Sequence, residues 1–151
     1  MTRLAFIDDG ELDPLVFIHA GIADARMWQT QADRFASDWR VVRPDLRGFG
    51  GTAHSGGEYR HATDLAGLFH DLGLAPSVVV GASMGGGVAI DLALDHPDLV
   101  RGLVLVGSTY GGFRFLEPAL FDQWRVLTEI YEAGRLDEAA ELETEIWSGP
   151  S

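Results

Sequence analysis

Residues 77–91 read SVVVGASMGGGVAID, and this stretch decides the fold. Ser77 to Gly81 is a β-branched run of strand length, and Met84 to Asp95 is a small-residue segment of helical length. Between them, Gly81-Ala82-Ser83-Met84-Gly85 is a G-x-S-x-G pattern at a strand-to-helix junction, the setting of a nucleophile elbow. A serine on so tight a turn needs small neighbours, because strand and helix approach closely there. Its hydroxyl then projects over the positive end of the following helix, where developing negative charge is favoured. The bland alternative is a glycine-rich packing turn, since the pattern alone often arises by chance.

Working outward, short apolar runs alternate with helical segments. Leu15 to Ile18 is an apolar run that reads as a buried strand, and Trp39 to Val42 reads as another, broken by Pro44 and a glycine-rich loop through Gly57. Between them Ala25 to Ser37 carries Met27, Trp28, Ala32 and Phe35 near helical spacing. His61 to Leu72 places Leu65, Leu68, Phe69 and Leu72 on one helical face, and Val100 to Val106 is a further strand. This alternation predicts an α/β fold, a mostly parallel sheet flanked by helices on both faces. A first strand near Arg3 to Ile7 precedes DDGELDP, whose short turn suits an antiparallel neighbour.

After Gly111 and Gly112 the pattern changes. Leu120, Trp124, Leu127 and Tyr131 stand at i, i+4, i+7 and i+11 of an amphipathic helix, and a second helix is expected over Arg135 to Trp147. The expected division is a core over 1–112 and a helical segment over 113–151. From Glu117 to Glu145 there are nine acids against two arginines, a charge run that reads as solvated helix faces.

Composition narrows the function classes. The 151 residues suit one ordinary domain, and at that size folding hides roughly 68–70% of the unfolded surface. Without cysteine there is no disulfide, thiolate metal site or cysteine nucleophile. The net charge of −12 is repelled by phosphate backbones and anionic membranes, so no nucleic-acid or membrane partner is expected. The acidic N-terminus lacks the pattern of a signal peptide, and no run reaches the ~20 apolar residues of a membrane span. These features predict a soluble, cytoplasmic protein that needs no cofactor and no metal.

Two further stretches carry chemistry. His19-Ala20-Gly21 is a turn at a strand end that can leave backbone N–H groups free beside the elbow, the makings of an oxyanion hole. Asp45-Leu46-Arg47-Gly48-Phe49-Gly50 is a strand-end loop with an acid, an arginine and two glycines.

Taken in order, these motifs resemble the α/β-hydrolase superfamily over nearly the whole chain. His19-Ala20-Gly21 is similar to its HG turn, with alanine in place of the first glycine, and residues 45–50 match its D-x-R-G-x-G loop. Residues 101–108 look like the strand after the nucleophile helix, and the helices from Phe113 onward resemble its cap insertion. The resemblance implies Ser83 as nucleophile, with Gly21 and Met84 donating the oxyanion-hole N–H groups. It implies no catalytic role for Asp45 or Arg47. A serine nucleophile points towards esterases, lactonases and C–C bond hydrolases, and away from aspartate-using dehalogenases and epoxide hydrolases.

The family's triad runs serine, acid, histidine, the last two on loops after later strands. By the ~30-residue size of a strand–helix–strand unit, about 60–80 residues of such a sheet are expected to be missing here. His96 lies 13 residues after Ser83, roughly 20 Å along a helix, and reads as part of a helix-ending His-Pro pair. His19 and His54 are the candidate bases, both placed where strands should end near Ser83; the plainer readings are a turn-stabilising residue and a solvated loop residue. Asp24 reads as a helix N-cap.

Three readings follow. The first is the N-terminal part of a serine hydrolase acting on a small ester, lactone or C–C bond substrate, inactive alone or nearly so. The second is a non-catalytic small-molecule binding or interaction protein that keeps the half-fold. The third is a full enzyme that recruits His19 or His54. The strand near Leu103–Val106 is expected to present an unpaired apolar edge, open to a second copy in a homodimer or to a complementary chain.

Overall fold

The computed structural model of the chain describes residues 3–54, 56–108, 110 and 118–148. The chain divides into two compact units, Met1–Gly111 and Gly112–Ser151. Among the described residues no helix is long and apolar enough to cross a membrane.

The first unit is built on five strands: β1 (Phe6–Asp9), β2 (Pro14–Ile18), β3 (Arg40–Pro44), β4 (Ser77–Ala82) and β5 (Val100–Val106). They lie in the order β1-β3-β2-β4-β5, with β2 to β5 parallel and β1 antiparallel to β3. The antiparallel neighbour of β1 is therefore β3, not the strand that follows its turn. Phe6 pairs with Pro44 and Asp9 with Val41, so the Gly10 turn carries the chain past β3 to start β2 on its far side.

Three helices flank this sheet: α1 (Gln29–Phe35), α2 (His61–Leu72) and α3 (Met84–Asp95). Instead of one helix over Ala25 to Ser37, residues Ala25–Trp28 form a 3₁₀ turn that leads into α1. Asp24 caps that turn, its carboxylate accepting from Arg26 N–H at 2.9 Å. Hydrogen bonding to Arg26 also draws the Asp24 carboxyl down to about 2.

Alternate residues of the central strands face two cores, which is why these strands are continuously apolar. Val16, Ile18, Val42 and Val79 pack with Leu65, Phe69, Ala89 and Leu92 of α2 and α3. Leu15, Phe17, Val41 and Val80 pack on the opposite face with Trp28 and Ala32. One charged side chain is buried in the sheet: Arg43, 1% exposed, donates to Asp9 Oδ2 at 2.7 Å and Gln29 Oε1 at 2.9 Å. In β5, by contrast, Leu103, Val104, Leu105 and Val106 are 37–51% exposed on the sheet's free edge.

The second unit holds α4 (Pro118–Glu132) and α5 (Leu136–Ser148). Leu127 and Ile130 of α4 pack with Ala139 of α5, with Leu142 and Ile146 alongside. The buried face is thus rotated from the expected one: Trp124 is exposed and Tyr131 is 66% exposed. The apolar pattern marked the helix, while its partner helix chose which apolar residues to cover. Leu120's side chain and residues 111–117 lie outside what the structure describes.

Candidate active site

The carboxyl ends of β2, β4 and β5 lie side by side, because Ile18 pairs with Gly81 and Ala82 with Val106. In open α/β sheets this is the end where ligands bind. The residues immediately beyond these ends are His19-Ala20-Gly21, Ser83, and Gly107-Ser108.

Ser83 occupies the turn between β4 and α3 with φ 50° and ψ −118°. That backbone region disfavours any side chain, and such strain persists only where the surroundings over-determine it. Here they do. Ser83 N–H donates to Val106 O at 2.9 Å, and Ser83 O accepts from Gly86 N–H at 3.0 Å and Gly87 N–H at 3.3 Å. The surrounding glycines are sterically obligatory. A Cβ on Gly81 would stand 2.5 Å from Gly85 O and 2.6 Å from Gly86 Cα. One on Gly85 would run into the carbonyls of Ile18 and His19, and one on Gly86 into the Ser108 side chain. The packing-turn explanation and the elbow explanation therefore describe the same glycines; the strained serine between them is what a mere packing turn would not need.

Gly21 lies against Met84, since a Cβ added to it would meet Met84 Sδ at 3.4 Å and Met84 Cβ at 3.6 Å. Three of the expected site residues, Ser83, Met84 and Gly21, are thus gathered at one strand end. His19 is gathered there as well, but its ring is committed. It is fully buried, with Nε2 3.0 Å from Leu46 N and Nδ1 2.8 Å from Ala20 O. An amide N–H can only donate and a carbonyl can only accept, so Nδ1 carries the proton and Nε2 accepts. Neither nitrogen is left to take a proton from Ser83, which corrects the expectation of His19 as a base. The same pair of bonds locks the Ala20 turn to the Asp45–Gly50 loop.

That loop is scaffolding. Asp45 accepts from Ala25 N–H through Oδ1 and from Gly51 N–H through Oδ2, each at 2.8 Å. Gly50, at φ 49°, passes so close that any Cβ there would overlap the Asp45 carboxylate. Arg47 pairs with Asp64 of α2 through two bonds of 2.8 and 2.7 Å, and its guanidinium lies 4.6 Å from the Tyr59 ring centre. Bonding to Asp64 raises the Arg47 pKa further, keeping the pair charged.

His54 is exposed and packs edge-on to Tyr59, ring centres 5.5 Å apart. Among the described residues no histidine or carboxylate hydrogen-bonds the Ser83 hydroxyl, and no cluster of three or more His, Asp or Glu is placed to hold a metal ion. His96 closes α3, its N–H donating to Leu92 O at 2.8 Å. Sequence reasoning had no signal for the bonds Ser83–Val106 and His19–Leu46, because each depends on which elements become neighbours.

Residues 13–151 match the family described as alpha/beta hydrolase fold. The chain is 30% identical over 130 residues to pyrrolizixenacetamide deacetylase of Xenorhabdus hominickii, covering 83% of this chain and 49% of that protein. It is 32% identical over 154 residues to the 2-hydroxymuconate semialdehyde hydrolase of a Pseudomonas species (strain CF600), covering 89% and 54%. A thermophilic esterase from Thermogutta terrifontis superposes with a TM-score of 0.71 at 36% identity, over 84% of this chain and 47% of that one. The chain thus spans about half the length of the relatives it matches.

Proposed function

Because the chain belongs to the α/β-hydrolase family, we propose that it carries the nucleophile and oxyanion hole of a serine hydrolase acting on a small ester, lactone or C–C bond substrate. The observation that carries this reading is the strained Ser83 at the end of β4, walled by glycines that admit no other residue. In this reading Ser83 Oγ attacks the substrate carbonyl carbon. The N–H groups of Gly21 and Met84 donate to the oxygen on which negative charge develops, helped by the amino end of α3. The named relatives, a deacetylase, a C–C hydrolase and an esterase, support the substrate range.

A serine hydroxyl attacks poorly without a base. With His19 committed to backbone groups, the base and its acid are assigned to a further segment that joins the sheet beside β5. This chain by itself then hydrolyses activated esters at only a residual rate, far below the roughly 10⁶-fold or more of a complete enzyme. Oxyanion hole and binding alone supply only about 10³–10⁴-fold over water.

The test is exhaustive labelling with a fluorophosphonate probe, followed by peptide mapping, beside turnover of a short activated ester. The expected result is a slow adduct confined to Ser83 and only residual turnover. An adduct on another serine overturns the nucleophile assignment. Rapid turnover abolished both by Ser83→Ala and by one histidine substitution overturns the division of the triad and identifies the recruited base.

A second reading, a non-catalytic small-molecule binding or interaction protein, is favoured by the Ser83 hydroxyl having no histidine or carboxylate partner among the described residues. It predicts no adduct under any labelling condition and ligand affinity indifferent to Ser83→Ala.

A further inference from the structure

Ala20, the residue before Gly21, has both of its backbone polar groups engaged. Its carbonyl accepts from His19 Nδ1–H at 2.8 Å and from Ala23 N–H at 3.1 Å. Its N–H donates to a thioether, Met27 Sδ, at 3.2 Å. Sulfur is a weak acceptor, so this is an unusual group to hold a functional turn. The segment that carries it is firmly seated. Ala25 N–H donates to Asp45, Met27 N–H to Asp24 O at 3.0 Å, and the adjacent Trp28 is buried with its ring centre 5.0 Å from that of Phe17. Yet the Met27 side chain itself is 41% exposed, whereas Met84 packs against the core.

We propose that Met27 is an oxidation site that controls the position of the Ala20–Gly21 turn, with a hydroperoxide as oxidant. A sulfur lone pair attacks a peroxide oxygen; the S–O bond forms as the O–O bond breaks. Sulfur is oxidised by two electrons, and the other oxygen leaves as water or an alcohol after taking up the proton. The sulfoxide oxygen is a stronger acceptor than the thioether. An N–H···O bond needs about 2.7–3.2 Å between nitrogen and oxygen alone. Oxygen added on the lone pair that meets Ala20 N–H finds no room within the present 3.2 Å, and oxygen added on the other lone pair leaves sulfur a poorer acceptor, so either the turn moves or the bond weakens. Methionine sulfoxide is enzymatically reducible, which makes the displacement reversible. Met27 is in these terms a positioning residue. Its consequence for catalysis rests on reading Gly21 as an oxyanion donor; its effect on the turn does not.

The experiment uses the full chain labelled with ¹⁵N, treated with dilute hydrogen peroxide and then with methionine sulfoxide reductases. Of Met27 and Met84, peptide mapping is expected to find Met27 oxidised first. The amide resonances of Ala20 and Gly21 are expected to shift on oxidation and return on reduction. In Met27→Leu they do not respond to peroxide; if that variant fails to fold, the oxidised and reduced wild-type chains carry the comparison. Oxidation of Met27 that leaves the Ala20 and Gly21 resonances in place overturns the proposal, as does prior oxidation of Met84. Neither result touches the Ser83 assignment, which the labelling experiment tests separately.

Discussion

The backbone N–H of Ser83 donates to the carbonyl of Val106 at 2.9 Å, so the turn that bears the candidate nucleophile is pinned to the last residue of the edge strand. Elbow and edge are one mechanical unit. The strain at Ser83 is held in part by this bond to β5.

That strain is measurable. At φ 50° and ψ −118° a side chain costs on the order of 1–3 kcal/mol, and glycine removes this cost while losing roughly 0.5–1 kcal/mol in chain entropy. Ser83→Gly is therefore expected to be more stable than Ser83→Ala by about 1 kcal/mol, though both lack the hydroxyl. Urea unfolding of the two variants decides it, and equal midpoints would mean that the turn is relaxed.

Gly85→Val tests the close approach of α3 to β2. The new side chain would be driven into the carbonyls of Ile18 and His19, both backbone groups that cannot rotate away. The expected destabilisation is about 3 kcal/mol or more, the upper end of overpacking costs. A denaturation midpoint like that of the unaltered chain would show that the helix start is free to shift.

His61 should make stability depend on pH. Burial lowers its pKa below 6.5, with His19 and Arg47 acting in the same direction and Asp64 opposing; Tyr59 faces it at 5.1 Å between ring centres. As pH falls, the unfolded chain takes up this proton first, so unfolding is favoured. The contribution is complete above 6.5 and is lost as pH falls through 6.5 towards the lower folded value. Thermal melting at about pH 7.5 and about pH 5.5 should show a fall that His61→Asn reduces. The same fall in the variant would assign the dependence to other groups.

The exposed Leu103–Val106 edge should drive association. Among the described residues β5 ends the sheet, and the outer N–H and C=O groups of an apolar strand without lysine, proline or an inward charge are a template for a further strand. Light scattering during size-exclusion chromatography at micromolar concentration is expected to report a species larger than one chain. Charged substitutions such as Val104→Lys should return it to monomer. A monodisperse wild-type monomer with slowly exchanging Leu103–Val106 amides would show that the edge is covered from within.

What the sequence determined by itself was local. The junction of β4 and α3 falls where the G-x-S-x-G pattern places it, Ser77–Ala82 and Met84–Asp95, because backbone strain and close approach there act within a few neighbouring residues. The apolar run likewise marked β2, since a strand buried on two faces has no polar positions to offer, and the run of Val100–Val106 marked β5 although its outer residues are exposed. Tertiary structure decided the rest. His19 read more plainly as a brace, with the role of base left open, until the sheet order brought Leu46, 27 residues on, to its Nε2. In α4 the expected face included Tyr131, yet packing against α5 covers Leu127 and Ile130 and leaves the tyrosine in solvent. Which of two ring nitrogens is free, or which side of a helix is dry, depends on neighbours remote along the chain. Local pattern identifies the residues capable of chemistry; long-range pairing decides which of them still have a lone pair or a proton to use.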